Sequence, residues 1–176
     1  PTIKDPIYAA MIEDMDTAIG RFLKALDEAG LRENTLVIFK SDNGGYNGDN
    51  RPLRGLKGML YEGGIRVPMI VKWPGLGKTG IVCEEPIMST DFYPSLLEMA
   101  GLPAMPNQTA DGKSFVPALK GESFNRGAIY WHFPHYSNHG MQSPGGAIRL
   151  GDYKLLEYYE NNTVQLFNLR EDIGEQ

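Results

Sequence analysis

The segment Thr35-Leu36-Val37-Ile38-Phe39 is apolar at odd and even positions alike, and it follows a long amphipathic stretch after only a few residues. A run that is apolar on both parities and rich in β-branched residues predicts a strand buried on both faces. Upstream, Tyr8, Met11, Ile12, Met15, Ile19, Phe22, Leu23 and Leu26 recur at i, i+3, i+4 spacing. That period predicts a helix over residues 6–29 packed on a sheet, with Gly30 where a C-terminal cap belongs. A helix, a short loop and a doubly buried strand imply an α/β sheet. A second apolar run at residues 67–73 stops at Pro74-Gly75, and Pro68 confines it to a strand start or a sheet edge. Ser89, Thr90 or Asp91 then caps a helix reaching about residue 100, with Pro94 in its first turn and Gly101 at its end.

Residues 102–122 hold Pro103, Pro106, Gly112, Pro117 and Gly121, a connector rich in breakers. Beyond it the pattern changes. Residues 128–133, 146–150, 153–159 and 164–169 read as short strands, with Gly151-Asp152 and Asn161-Asn162 as turn signals. The expected organisation is therefore an α/β portion over residues 1–122 and a small antiparallel β subdomain over 123–176. Within 176 residues no run is long and apolar enough to span a bilayer. The net charge of −5 argues against nucleic acid as a partner, because phosphate binding needs a basic face. Cys83 is the single cysteine, which excludes an internal disulfide and a cysteine zinc cluster. The chain opens without Met and closes on Gly174-Glu175-Gln176, so the expectation is a piece of a longer protein.

Asp42-Asn43-Gly44-Gly45 lies just past the end of the first strand, the edge where open α/β sheets bind ligands. Asp42 offers a carboxylate oxygen and Asn43 an amide oxygen, hard donors suited to calcium or magnesium. The glycines leave room for a bound group to approach the backbone. A plain strand-to-loop turn has the same composition, so the tetrapeptide alone carries both readings. Lys57 lies between Gly55 and Gly58. It reads either as a solvated loop lysine or as a point charge for an anionic tetrahedral group beside the cation. Glu62 and Arg66 are expected to pair and brace this loop.

In order along the chain, SDNGG, LKGMLYEGGIRVP, PIMSTDFYPSLLEMAGLP and QLFNLREDIGE resemble the C-terminal half of type I sulfatases, within the alkaline-phosphatase-like superfamily. The segments WHFPHY and PGGAIRLGDYKLLEYY look similar to bacterial polysaccharide-type members. The resemblance covers nearly the whole chain. It implies the C-terminal half of an alkaline-phosphatase-like sandwich followed by the small antiparallel sheet. By position in the motifs, Asp42 and Asn43 match two calcium ligands and Lys57 matches the lysine that contacts sulfate. The family's nucleophile is a formylglycine made from Cys or Ser in a C/S-x-P-x-R motif. That motif does not occur in these 176 residues, and Cys83 does not fit it. The formylglycine and the remaining ligands are expected in a missing N-terminal part.

The resemblance implies that calcium and Lys57 together hold the sulfate oxygens, and that Asp42 also accepts a proton from the formylglycine diol. The diol oxygen attacks sulfur and expels the alcohol, and collapse to the aldehyde releases sulfate. Substrates implied are sulfated carbohydrates or aryl sulfates, and the parent is expected to be periplasmic or secreted. This portion alone is expected to be inactive, and to self-associate through surface that its missing half covers. His132 and His135, with His139, stand either as sugar contacts or as ordinary strand and loop histidines. Two rival functions stay open. One is a phosphonate or phosphate ester hydrolase of the same superfamily. The other is a non-catalytic carbohydrate-binding module using Tyr153, Tyr158 and Tyr159.

Overall fold

The computed structural model describes residues 5–46, 49–76, 79–138 and 142–176. Helix α1 runs Pro6–Glu28. Asp5 caps it: its carboxylate accepts from Ile7 N at 2.9 Å and Tyr8 N at 3.3 Å, while Pro6 occupies the first turn. Gly30, at φ +69°, ends it in the left-handed region. Strands β1 (Val37–Lys40) and β2 (Met69–Lys72) pair antiparallel, Val37 opposite Lys72.

Two expectations fail in this region. The stripe of α1 buries nothing fully: Met11, Ile12, Met15, Phe22 and Leu23 are exposed, and Tyr8, Ile19 and Leu26 are half-buried. Strand β1 is half-buried at Val37 and Ile38 and open at Phe39. The periodicity located the helix and its apolar face correctly. It carried no information on whether the residues that cover that face belong to these 176.

The next segment contains a short helix α2 (Glu62–Ile65), then α3 (Phe92–Met99) entered through a 3-10 turn at Ser89–Asp91, and α4 (Val116–Leu119). Helix α4 lies inside the stretch that reads as connector. Phe115 and Val116 are almost wholly buried there, and Phe115 meets Phe92 edge-on at 5.4 Å between ring centroids. Asp91 is buried and fully satisfied: it accepts from Met88 N, Lys113 N and the Arg126 guanidinium, each at 2.8–2.9 Å. Gly112 passes so close to Thr90 that a Cβ would lie 2.0 Å from its carbonyl oxygen.

The C-terminal strands match their expected places closely. Strands β3 (Ile129–Phe133), β4 (Gly145–Leu150), β5 (Tyr153–Tyr158) and β6 (Thr163–Asn168) form an antiparallel meander in that order. Gly151-Asp152 makes the two-residue turn between β4 and β5, with Gly151 at φ +58°. One face of this sheet carries Ala147, Leu156 and Phe167 into a core completed by Leu60 and Tyr61 from the loop before α2 and by Leu169. The main core of the described residues therefore joins the glycine-rich loop to the C-terminal sheet. Tyr158 packs against that core, so it shares no face with Tyr153, and the tyrosines do not form one contact platform. Among the described residues no helix is long and apolar enough to cross a membrane.

Candidate functional site

Asp42 and Asn43 follow β1 directly. Asn43 Nδ2 donates to Asp42 Oδ2 at 2.7 Å, and Ser41 Oγ donates to the Asn43 carbonyl at 2.8 Å. Asp42 is exposed and Asn43 half-buried. The Asn43 amide nitrogen thus faces Asp42, and the two residues carry a carboxylate and an amide oxygen at the end of a strand. Both are hard donors, so the pair fits calcium in kind. It supplies a minority of the roughly 6–8 oxygens calcium prefers. No group of three or more His, Cys, Asp or Glu side chains arranged for a metal occurs among the described residues.

The glycines have a different role from the one their sequence suggests. Gly44 is buried, and a Cβ there would fall 1.8 Å from the Gly63 carbonyl oxygen. A Cβ on Gly63 would meet the Gly55 oxygen at 2.3 Å, and one on Gly64 the Met59 oxygen at 2.1 Å. The space is filled by protein backbone, not left for a ligand. Gly44 N donates to Gly64 O at 2.9 Å, and Lys57 N donates to Gly45 O at 3.1 Å. Asn50 closes the knot by donating to the Gly45 and Gly55 carbonyls at 3.0 Å. Backbone contact between two glycine-rich segments thus fixes the Lys57 loop against the Asp42-Asn43 turn.

Lys57 is half-buried, and its ammonium has no hydrogen-bond or ion-pair partner among the described residues. A cation held on a rigid backbone without a protein counter-charge suits an anionic ligand.

Glu62 and Arg66 do pair, at 3.7 Å, but Arg66 is the outermost member of a larger cluster. Lys154, fully buried on β5, donates to Glu62 Oε1 at 3.0 Å and lies 2.8 Å from Glu175 Oε1; Arg149 stands 3.6 Å from Glu62 Oε2. Glu175 Oε2 accepts from Glu62 N at 2.7 Å. Burial pushes the Glu175 carboxyl above the usual glutamate range, a rise that Lys154 opposes. Sequence reasoning missed Lys154 and Glu175. The available signal was parity: Lys154 shares the inward face of β5 with Leu156 and Tyr158, a place for an apolar residue.

His132, on β3, is exposed and its Nδ1 lies 2.9 Å from the Tyr159 hydroxyl. His135 is exposed and stacks edge-on with Phe133 at 5.7 Å. His139 lies outside the described residues. No hydrogen bond, ion pair or ring contact links His132 or His135 to Asp42, Asn43 or Lys57 among the described residues. The β3–β4 connection does reach the Lys57 loop: the buried Gln142 accepts from Leu60 N at 3.0 Å.

Comparison with known proteins decides the family. The sulfatase family model matches residues 5–102, and the model for the C-terminal region of N-sulphoglucosamine sulphohydrolase matches residues 56–176. This chain belongs to the sulfatase family. A sulfatase of Formosa agariphila is 41% identical over 188 residues, covering 96% of this chain and 34% of that protein. Among solved structures, i-CgsB in complex with k-i-k-neocarrahexaose is similar at a TM-score of 0.83 and 35% identity, over 100% of this chain and 40% of that one. A protein in complex with its substrate D-glucosamine-2-N,6-O-disulfate is similar at a TM-score of 0.80 and 26% identity, over 96% of this chain and 34% of that one. The sulfatase chain described here thus spans about a third of the length of the curated relative. The α/β, alkaline-phosphatase-like fold expected from the motifs holds, with the antiparallel meander at its C-terminal end.

Proposed function

We propose that this chain is the C-terminal portion of a sulfuric ester hydrolase acting on sulfated carbohydrates, and that it contributes half of the sulfate site. The observation that carries this reading is the knot between the two glycine-rich segments. It ties the backbone of the loop that carries the half-buried Lys57, whose ammonium has no partner among the described residues, to the segment that follows Asp42 and Asn43.

In this reading Asp42 and Asn43 are two calcium ligands, and the rest of the shell and the formylglycine nucleophile come from outside this chain. The calcium supplies Lewis-acid stabilisation of the sulfate oxygens when bound. Lys57 binds a sulfate oxygen and offsets charge that grows as the ester bond breaks. Asp42 accepts a proton at its carboxylate. The sugar specificity rests on relatives, one of them solved with a sulfated glucosamine. His132 and His135 are proposed as sugar contacts, and the full protein as periplasmic or secreted.

The test is a substrate panel on the full-length protein: a sulfated oligosaccharide, an aryl sulfate and an aryl phosphonate monoester. The reading expects kcat/KM for both sulfates to exceed that for the phosphonate by at least about a hundredfold, as differential transition-state binding requires. Preference for the phosphonate establishes the rival hydrolase, and no turnover of any ester establishes a binding module. A His135→Ala variant is expected to raise KM for the oligosaccharide more than for the aryl sulfate. Equal effects remove His135 from the sugar site.

A further inference from the structure

The buried cluster under the Lys57 loop has a geometry that stability alone does not require. Lys154 has no exposure, and neither has Glu175; Glu62 is almost as buried. Removing such charges from water is costly, and well-packed apolar residues in their place are often as stable or more so. What ionic groups add is direction, because each charge must meet its partner at a set distance and angle.

The directions converge on one loop. Glu175 takes both ends of residues 54–63: its backbone carbonyl accepts from Arg54 Nη1 at 2.5 Å, and its Oε2 accepts from Glu62 N at 2.7 Å. Gly63 N donates back to Arg54 O at 2.7 Å, which closes the loop on itself. Arg54 also stacks over the Tyr61 ring at 4.1 Å, and Tyr61 donates to Gln165 on β6 at 2.7 Å. Lys154 holds the two carboxylates from beneath, at 3.0 Å and 2.8 Å. Lys57 is inside the closed loop, and the hydrogen bonds from Gly44 to Gly64 and from Lys57 to Gly45 pass its position on to Asp42 and Asn43.

We propose that Lys154 and Glu175 are positioning residues, whose buried ion pair clamps the Lys57 loop to the C-terminal sheet and sets where the Lys57 ammonium stands relative to Asp42 and Asn43. This deepens the sulfate-site reading and rests on it. Neither residue touches substrate. They act through Glu62, Arg54 and the loop backbone. A displacement of about 1 Å in a group that binds the reacting centre can cost about a hundredfold in rate, so a clamp remote from the chemistry has a kinetic signature.

The experiment uses the full-length protein with Glu175→Gln and Lys154→Met, read by amide hydrogen exchange and by steady-state kinetics on an aryl sulfate. Glu175→Gln keeps the side-chain size and an acceptor for Glu62 N while removing the charge. Peptides holding Gly44 and Lys57 are expected to exchange about tenfold faster, with β5 and β6 unchanged, as local opening of the loop alone predicts. In the same variant kcat is expected to fall about tenfold and KM to stay within about twofold. Lys154→Met leaves two facing carboxylates, and if it fails to fold Glu175→Gln decides. Unchanged loop exchange overturns the clamp, as do loop and sheet loosening together, kinetics that do not change, or a Glu175→Gln protein that does not fold. If the wild type turns over no sulfate, the functional reading fails while the exchange measurement still judges the clamp.

Discussion

Helix α1 and strand β5 both carry clear apolar patterns, yet they end in opposite situations. Leu156 on β5 is wholly buried, between β4 and β6 and in the same core as Tyr61. Phe22 on α1 is 58% exposed, and no residue of the stripe is fully buried. Periodicity says which face an element must bury. It does not say where the cover comes from. In the C-terminal region the cover is local in sequence or supplied by the glycine loop, so the core closes within this chain. For α1 it does not close among the described residues.

The largest expected difference between the two regions is thermodynamic. In this chain expressed alone, Leu156→Ala should lose about 2–5 kcal/mol, the range for emptying a packed leucine site. Phe22→Ala should change stability by less than about 0.5 kcal/mol, as surface substitutions do. Denaturant midpoints of the two variants measure this, and similar losses would dissolve the contrast. The exposed stripe also predicts self-association of the chain alone. Phe22→Glu should reduce it in light scattering, and a wild-type monomer would contradict the expectation.

A smaller effect is expected where the two regions meet. Gly44→Ala forces a methyl against the Gly63 carbonyl, and backbone cannot yield as a side-chain tip can. The cost should be about 1–3 kcal/mol, in the overpacking range. Thermal unfolding checks it. A neutral substitution would show that the two segments are not locked.

Smallest is a pH effect. The folded Glu175 carboxyl is raised by burial, so its contribution is complete below the ordinary glutamate value and is lost as pH rises through the raised one. Between those two values, stability of the wild type should fall with pH relative to Glu175→Gln. Parallel curves from denaturant titrations across that window would refute the sign.

Much of this architecture is legible in the sequence where signals are local. The cap at Asp5, the end of α1 at Gly30, and the turn at Gly151-Asp152 all lie where short-range chemistry puts them. Asp42, Asn43 and Lys57 stand out by motif, and hydrogen bonds from Gly44 to Gly64 and from Lys57 to Gly45 tie together the two segments that carry them. Illegible were the contacts that join distant segments. Gly44 looks like room for a ligand until Gly63 is known to lie against it, and Lys154 looks like a surface lysine until its strand face is fixed. Helix α4 is hidden because proline and glycine around it mark breaks, while Phe115 and Val116 bury themselves against α3 regardless.

The most direct test of the account is the steady-state rate of Lys57→Ala in the full-length protein on an aryl sulfate. If Lys57 holds the sulfate during bond cleavage, kcat/KM should fall by about a hundredfold to a thousandfold, the effect of removing one preorganised charge donor. The protein should remain folded, because Lys57 contributes its backbone and not its ammonium to the loop. Turnover within about threefold of wild type, against the loss of a preorganised donor expected here, would contradict the assignment of Lys57 and with it the sulfate half-site.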